Sequence, residues 1–319
     1  MQERTVCILG GTGFVGSWMV TRLVDAGYQV RIPTRHAHRA RHLRLLPTAQ
    51  VIEANVYDPD TLEGLVSGCA AAINLVGILN ERGRDGSGFR KAHVELPERL
   101  IAACQARGVT RLLHMSALHA DAHGGLSHYL RTKGEAEALV HAAPNLETTS
   151  FRPSVIFGPG DSFFNRFAKL LRLTPWIFPL ACPESRFAPI YVDDVASAFV
   201  HALDNPATIG QRYDLCGPQI FTLRELVAYA SRQIGKRHWI LGLSDGLSKL
   251  QARLLEFVPG KPMSLDNYHS LQTDSICSGP IAEELGVVPT AIDSVVPQYL
   301  GRRSQRASYD ALRQVTRRG

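Results

Sequence analysis

Three things are scarce in this 319-residue chain: clustered cysteine, long apolar runs, and surplus charge in its body. Cys7, Cys69, Cys104, Cys182, Cys216 and Cys277 lie far apart, form no CxxC pair and sit mostly in apolar runs such as Val6-Cys7-Ile8. That pattern argues against a disulfide framework or a zinc site, and predicts buried thiols in a reducing, cytoplasmic setting. No apolar run reaches the roughly 18 residues of a membrane span. The longest candidate, Leu170 to Pro183, is interrupted by Arg172, Pro175 and Pro179. The first strand is already under way at Val6, which leaves no room for a signal peptide.

The net charge of +6 is unevenly placed. Arg302, Arg303, Arg306, Arg313, Arg317 and Arg318 against Asp310 give residues 301–319 a charge of +5, so the other 300 residues carry about +1. A nucleic-acid-binding body is therefore disfavoured, and the basicity belongs to a tail. Hydrophobic content of 45% and charged content of 20% are those of an ordinary globular protein. There is no internal repeat and no low-complexity segment. The histidines of His36, His38 and His42, or of His114, His119 and His123, are not backed by carboxylates, so no metal site is expected.

What the chain does have stands near its start. Four apolar residues, Val6 to Leu9, run into Gly10, Gly13 and Gly16, and an amphipathic segment with Trp18, Met19, Leu23 and Val24 follows. This reads as strand, tight turn and helix. Gly10 lets the chain turn sharply, Gly13 lets backbone approach a pyrophosphate, and Gly16 lets the helix pack closely. Thr12, Phe14 and Val15 complete the turn, where first-turn amides and the positive end of the helix dipole favour phosphate.

Further strands are expected at Gln29–Thr34, 50–54, 70–76, 111–115 and 147–151. The helices between them are expected at 36–46, from Asp58, at Phe89–Arg107 and at Tyr129–His141. Strands alternating with helices at this pitch make an α/β fold, a doubly wound parallel sheet of Rossmann type, with a smaller mixed C-terminal region. The expected division is a dinucleotide-binding core at 1–156, a substrate or partner region at 157–300 that partly returns to the core, and a basic tail at 301–319. Within the smaller region, strands are expected at 187–192 and 211–216.

Tyr129-Leu130-Arg131-Thr132-Lys133 places a phenol and an ammonium four apart, on one helix face. Alone this is commonly a surface pair. After the fifth strand of a dinucleotide fold it is an acid/base, because a nearby cation favours the phenolate and lowers a pKa that is normally about 10. With the Gly10/Gly13/Gly16 turn, the pair resembles the signature of extended or atypical short-chain dehydrogenase/reductases. His114–Leu118, Arg152–Pro159 and Cys216–Pro218 before Phe221–Leu226 narrow the likeness. Together they are similar to the NAD(P)-binding accessory subunit of respiratory complex I and its quinone-linked bacterial relatives.

That resemblance implies Tyr129 as proton donor or acceptor, Lys133 as ribose contact and electrostatic partner, and Ser116 as polariser of the substrate oxygen. Extended members often use a serine two positions further on, where Leu118 stands, and Ser116 reads equally as a strand-end serine bonded to backbone. By the same resemblance Asn55 and Val56 hold adenine, Leu75, Val76 and Gly77 line the strand-four crossing, and Pro153, Val155 and Ile156 lie near the nicotinamide. An NAD site places an acid after strand two; here that position is Arg35, followed by Arg39 and Arg41, which favours NADP(H) over NAD(H). Part of that basic run is also a solvated face.

Leu243 to Val258 is amphipathic, with Leu247, Leu250, Leu254, Leu255 and Val258 on one side. Core packing is the plainer reading. Membrane-surface docking on the cytoplasmic face, or contact with a respiratory or quinone-making complex, is the sharper one, helped by the arginine tail. Three functions follow: an NADPH-dependent oxidoreductase on an apolar, quinone-related small molecule; a non-catalytic NADPH-binding accessory or assembly protein; and an NAD-dependent nucleotide-sugar epimerase or dehydratase. Arg35 and the aromatic stretch Phe163 to Phe178 weigh against the third.

Overall fold

The structure is a computed structural model that describes residues 4–258 and 261–301; the arginines from Arg302 onward lie outside the described residues. The chain opens with β1 (Thr5–Leu9), α1 (Phe14–Asp25), β2 (Gln29–Thr34), β3 (Ala49–Glu53), α2 (Pro59–Val66) and β4 (Ala71–Asn74). It continues through α3 (Ser87–Arg90), a π turn (Lys91–Glu95), α4 (Leu96–Arg107), β5 (Arg111–Met115), α5 (His128–Ala142) and β6 (Glu147–Pro153). Next come β7 (Ile156–Phe157), α6 (Phe164–Leu173), β8 (Ile177–Leu180), β9 (Arg186–Phe187), β10 (Ile190–Tyr191) and α7 (Val192–Asp204). The remainder is β11 (Arg212–Leu215), β12 (Phe221–Thr222), α8 (Leu223–Gln233), β13 (Trp239–Gly242), α9 (Asp245–Leu255), α10 (Leu265–Ser270) and α11 (Ile292–Leu300).

These elements form two compact units. The first takes Met1–Pro153, Val192–Leu215 and Gly279–Val288. Its seven strands lie in the order β11-β6-β5-β4-β1-β2-β3, every neighbouring pair parallel. This is the doubly wound sheet that the strand–helix alternation predicts. All residues of β4 and β5 are buried, as expected of strands covered by helices on both faces. Leu62, Leu65, Leu96, Leu100, Cys104 and Leu112 pack into one core on the α2/α4 side. Asp58 starts α2 by accepting the Thr61 N–H at 2.9 Å, with Pro59 in the first turn. Arg212–Leu215, from the stretch expected to return in part to the core, pairs with β6 as the sheet's edge strand.

The second unit takes Ser154–Tyr191, Cys216–Ser278 and Pro289–Gly319. Two-stranded ladders β7/β10 and β8/β13 are parallel, and β9/β12 is antiparallel. Phe157, Phe164, Leu171, Phe187, Leu226 and Val296 are among its core residues. Thr222 and Glu225 close a reciprocal capping box on α8.

Three local expectations are corrected. The basic stretch 36–46 is two short 3-10 turns, Ala37–Ala40 and Leu43–Leu45, rather than one helix. Its buried residues, Ala37, Ala40 and Leu43, recur every third position, the 3-10 period. Phe89–Arg107 is interrupted by the π turn: Pro97, lacking an N–H, cannot donate to the carbonyl of His93 four residues before it, and stands in the first turn of α4 instead. Finally, Cys216 and Cys277 form a disulfide with Cα atoms 6.0 Å apart, against the expectation of six thiols. A sequence separation of 61 residues hides that pairing from spacing arguments. Cys7, Cys69 and Cys104 are buried free thiols, and Cys182 is half-buried. Among the described residues no helix is long and apolar enough to cross a membrane.

Candidate active site

At the end of β1, Gly10 takes φ +82° and the Gly13 N–H closes the turn on the Gly10 carbonyl at 3.0 Å. A Cβ on Gly16 would stand 2.2 Å from the Gly10 oxygen, so this glycine lets α1 sit directly against the turn. A Cβ on Gly11 would meet Ile32 of β2 at 2.9 Å. Gly13 is exposed, and α1 begins after it with no side-chain cap. Thr12, Phe14 and Val15 are half-buried around it. The first-turn amides are thus left for an acceptor that the side chains do not supply, and the bare glycine surface admits a pyrophosphate.

Arg35 is exposed just past β2, and its guanidinium lies within electrostatic reach of Tyr57. Tyr57 also has the Lys91 ammonium 5.2 Å and the Arg99 guanidinium 5.8 Å from its ring centre. Burial raises its phenol pKa, Glu95 adds to that, and Arg35 and Arg99 oppose it. Sequence reasoning stopped at Asn55 and Val56 and missed this aromatic between cations. Asn55 is exposed, Val56 half-buried, and the Asn55 carbonyl oxygen Oδ1 accepts the Tyr57 N–H at 3.1 Å. The acid nearest the end of β2 is Glu53, and its carboxylate accepts the Ala37 N–H at 2.9 Å. Arg39, on the first 3-10 turn, and Arg41, between the two turns, are exposed.

At the other end, the Leu75 N–H continues the β1 ladder by donating to the Leu9 carbonyl at 2.9 Å. The Val76 N–H donates to Asn74 Oδ1 at 3.1 Å. Gly77 follows, and a Cβ there would come within 3.3 Å of Lys133 Nζ. Ser127 caps α5 by accepting the Leu130 N–H at 3.0 Å, which fixes where Tyr129 and Lys133 project. Lys133 is 3% exposed, its Nζ donates to the Met115 carbonyl at 2.8 Å, and burial pulls its pKa down to about 8. Tyr129 is half-buried, its ring edge-on to His93 at 5.5 Å and to Phe89 at 6.3 Å.

His93 is the residue that sequence reasoning missed. It sits in the π turn, 1% exposed. Its Nε2 accepts the Ile78 N–H at 3.0 Å, so the ring proton is on Nδ1 and is donated to Thr132 Oγ1 at 2.9 Å. Thr132 in turn donates to the His128 carbonyl at 2.7 Å. Burial first, then the Lys133 and His114 charges, push its pKa down to about 2, so it stays neutral. One imidazole thereby joins the Gly77–Ile78 backbone to the helix turn that carries Tyr129 and Lys133. The only sequence signal was Pro97 four residues on, which forbids an ordinary helical turn there.

Ser116 is 1% exposed, and its hydroxyl makes no close hydrogen bond among the described residues but is turned toward the Glu137 carboxylate. Glu137 is held by Arg152, with Nε 2.8 Å from Oε2, and by Arg212, with Nε 2.9 Å from Oε1. Burial raises its pKa, but the Arg152 and Ser116 hydroxyl interactions and the arginine charges outweigh that and leave it lowered. Leu118 is buried, and its N–H donates to the Pro153 carbonyl at 3.3 Å. Pro153 is half-buried at the end of β6, opposite Leu215. Val155 and Ile156 belong to the second unit, where the Val155 carbonyl accepts the Ile190 N–H at 3.0 Å and Ile156 pairs with Ile190. Among the described residues no group of three or more His, Cys, Asp or Glu side chains is placed to hold a metal ion.

A relative from Arabidopsis thaliana, "NADH dehydrogenase [ubiquinone] 1 alpha subcomplex subunit 9, mitochondrial", is 28% identical over 311 residues, covering 92% of this chain and 76% of the relative. The "Ceramide reductase" of Caulobacter vibrioides is 27% identical over 240 residues, covering 75% of this chain and 74% of the relative. UDP-glucuronic acid 4-epimerase from Bacillus cereus, solved with UDP-glucuronic acid and NAD, superposes with a TM-score of 0.72 at 19% identity, covering 98% of this chain and 99% of that one. At that identity the likeness speaks for the fold. The sequence model described as "NAD dependent epimerase/dehydratase family" matches residues 6–216. With the glycine turn, the parallel sheet and the Tyr129/Lys133 helix in place, the chain belongs to that family of extended, nicotinamide-dinucleotide-dependent short-chain dehydrogenase/reductases.

Proposed function

We propose that this protein is an NADP(H)-dependent oxidoreductase acting on an apolar carbonyl or quinone. The observation that carries the reading is the buried Lys133 ammonium, fixed on the Met115 carbonyl one helical turn from Tyr129. Bound NADPH supplies hydride. Tyr129 supplies the proton that the reduced oxygen requires, and Lys133, mostly protonated at neutral pH, favours the phenolate left behind. His93 adds no second charge and keeps Tyr129 and Lys133 in register with Gly77. Arg35 beside Tyr57, with Glu53 occupied by backbone, supports a 2′-phosphate in preference to a ribose diol. The reductase name of the Caulobacter relative supports the reaction type.

A second reading is favoured by one feature: Ser116 is enclosed beside Glu137 and Leu118 is apolar, so a hydroxyl to polarise substrate comes from neither position. On that reading the chain keeps NADPH as a structural ligand in a respiratory or quinone-making assembly, as the names of its complex I relatives suggest. Contact through 243–258 and the 301–319 tail belongs to both readings. Oxidation of NADPH by apolar aldehydes and quinones, followed by absorbance, separates them. The oxidoreductase reading expects turnover that falls by about a hundredfold or more in Tyr129→Phe, the scale of a lost general acid. Undiminished turnover in that variant removes Tyr129 from the chemistry, and stoichiometric bound NADPH with no turnover selects the accessory reading.

A further inference from the structure

Eleven of the fifteen large apolar side chains exposed among the described residues belong to the second unit, and all eleven lie from Leu173 to Val258. They are not scattered. In the β8/β13 ladder, Phe178, Leu180 and Ile240 point into the core, while the opposite face carries Ile177, Pro179, Trp239 and Leu241. Ile177 pairs with Trp239 and Pro179 with Leu241, and the Trp239 N–H donates to the Trp176 carbonyl at 2.9 Å, so both tryptophans stand at one end of this face. Trp176 is 79% exposed and Trp239 73%. A half-exposed sheet ordinarily carries polar residues on its outer face; this one is apolar on both.

Helix α9 extends the same surface. Gln251 Nε2 donates to the Pro179 carbonyl at 3.1 Å, and Ser248 Oγ accepts the Cys182 N–H at 3.2 Å, which seat α9 beside β8. Leu247, Leu250 and Leu254 then form an exposed stripe on its outer side, and Phe257 follows, 74% exposed. The plainer expectation for 243–258, core packing through its leucines, is not met: the buried positions of α9 are Ser248 and Ala252, and of the helix's leucines only Leu255 is half-buried.

Charge decides what covers this face. Exposed cations on or beside these elements are Lys169, Arg172, Arg237, Lys249 and Arg253. The acids beside these elements are fewer and each has a partner within the unit: Asp245 accepts from the Tyr268 hydroxyl, Glu256 accepts the Leu265 N–H at 2.8 Å, and Glu184 pairs with Arg224 at 3.1 Å. Apolar side chains with tryptophans among them and a rim in which cations outnumber acids match an anionic bilayer surface: indole rings lie at headgroup depth, leucines reach the acyl boundary, and lysine and arginine meet phosphate.

We propose that β8, β13 and α9 form a docking face for an anionic lipid surface. The assignment is independent of the chemistry at Tyr129. The full-length protein is sedimented with phosphatidylcholine vesicles containing or lacking phosphatidylglycerol, and its emission spectrum is recorded, Trp18 being the only other tryptophan. Expected are binding to the anionic vesicles alone, weakening as salt rises above about 0.1 M, and a blue shift. Trp176→Ser with Trp239→Ser, a double variant altering exposed side chains and leaving the arginine tail intact, should lose affinity by about tenfold or more while melting at the wild-type temperature. Absence of binding to anionic vesicles overturns the proposal. So does undiminished binding of the double variant, which would assign attachment to the tail. Concentration-dependent self-association abolished by the double variant, without vesicle binding, would give the face to a second copy of the chain.

Discussion

His93 shows how a single side chain can couple two elements without touching a reacting atom. Both ring nitrogens are engaged, one as acceptor from Ile78 and one as donor to Thr132. His93→Leu leaves the half-buried Ile78 N–H without that partner, a loss of about 1–3 kcal/mol, while the Thr132 hydroxyl keeps the His128 carbonyl. NADPH affinity, read by fluorescence titration, should weaken by about tenfold or more, and His93→Gln, whose amide can both accept and donate, should restore most of it. Leucine and wild-type proteins of equal affinity would reduce His93 to packing. The difference between what was legible and what was not is sharp at this scale. Tyr129 and Lys133 are readable because a fixed spacing on a helix carries their chemistry. His93 is not, because its role is set by Ile78, 15 residues away. Ser116 is readable as a residue but not as an environment: only the folded chain sets it beside Glu137.

Among elements, the β1–turn–α1 unit is the part whose sequence and geometry agree most closely, and the agreement can be tested glycine by glycine. Gly16→Ala forces a methyl group to 2.2 Å from the Gly10 oxygen and 2.6 Å from Gly11 backbone, which cannot yield as a flexible side chain would. Gly64→Ala in α2 meets nothing within 4 Å. Thermal unfolding should therefore separate them: Gly16→Ala melts several degrees lower and loses dinucleotide binding, whereas Gly64→Ala is neutral or gains up to about 1 kcal/mol from helix propensity. Equal melting temperatures would contradict the close approach of α1 to the turn. Elsewhere, elements were misread where the period was wrong. The stretch 36–46 has apolar residues every third position and folds as 3-10 turns; Phe89–Arg107 has a proline that converts one helix into two around a π turn.

For the whole molecule, strand alternation was enough to predict a parallel sheet, because buried parallel strands must be apolar on both faces. It was not enough to place β11, which enters the sheet beside β6 only after the chain has built β7 to β10 in the other unit. The Cys216–Cys277 pair escaped for a similar reason, its partners being brought together by that second unit. Function divides along the same line. Family membership and dinucleotide chemistry follow from local motifs, while cofactor choice rests on what surrounds the end of β2: Arg35 exposed, Tyr57 between cations, Glu53 bonded to backbone. The central claim is that this site holds a dinucleotide phosphorylated on its adenosine ribose. Calorimetric titration of wild-type and Arg35→Ala protein with NADPH and with NADH tests it most directly. The account predicts tighter NADPH binding in wild type, with the preference reduced by about tenfold or more in Arg35→Ala, the scale of one charge-assisted hydrogen bond. Tighter binding of NADH, with the ratio unmoved by Arg35→Ala, would contradict it.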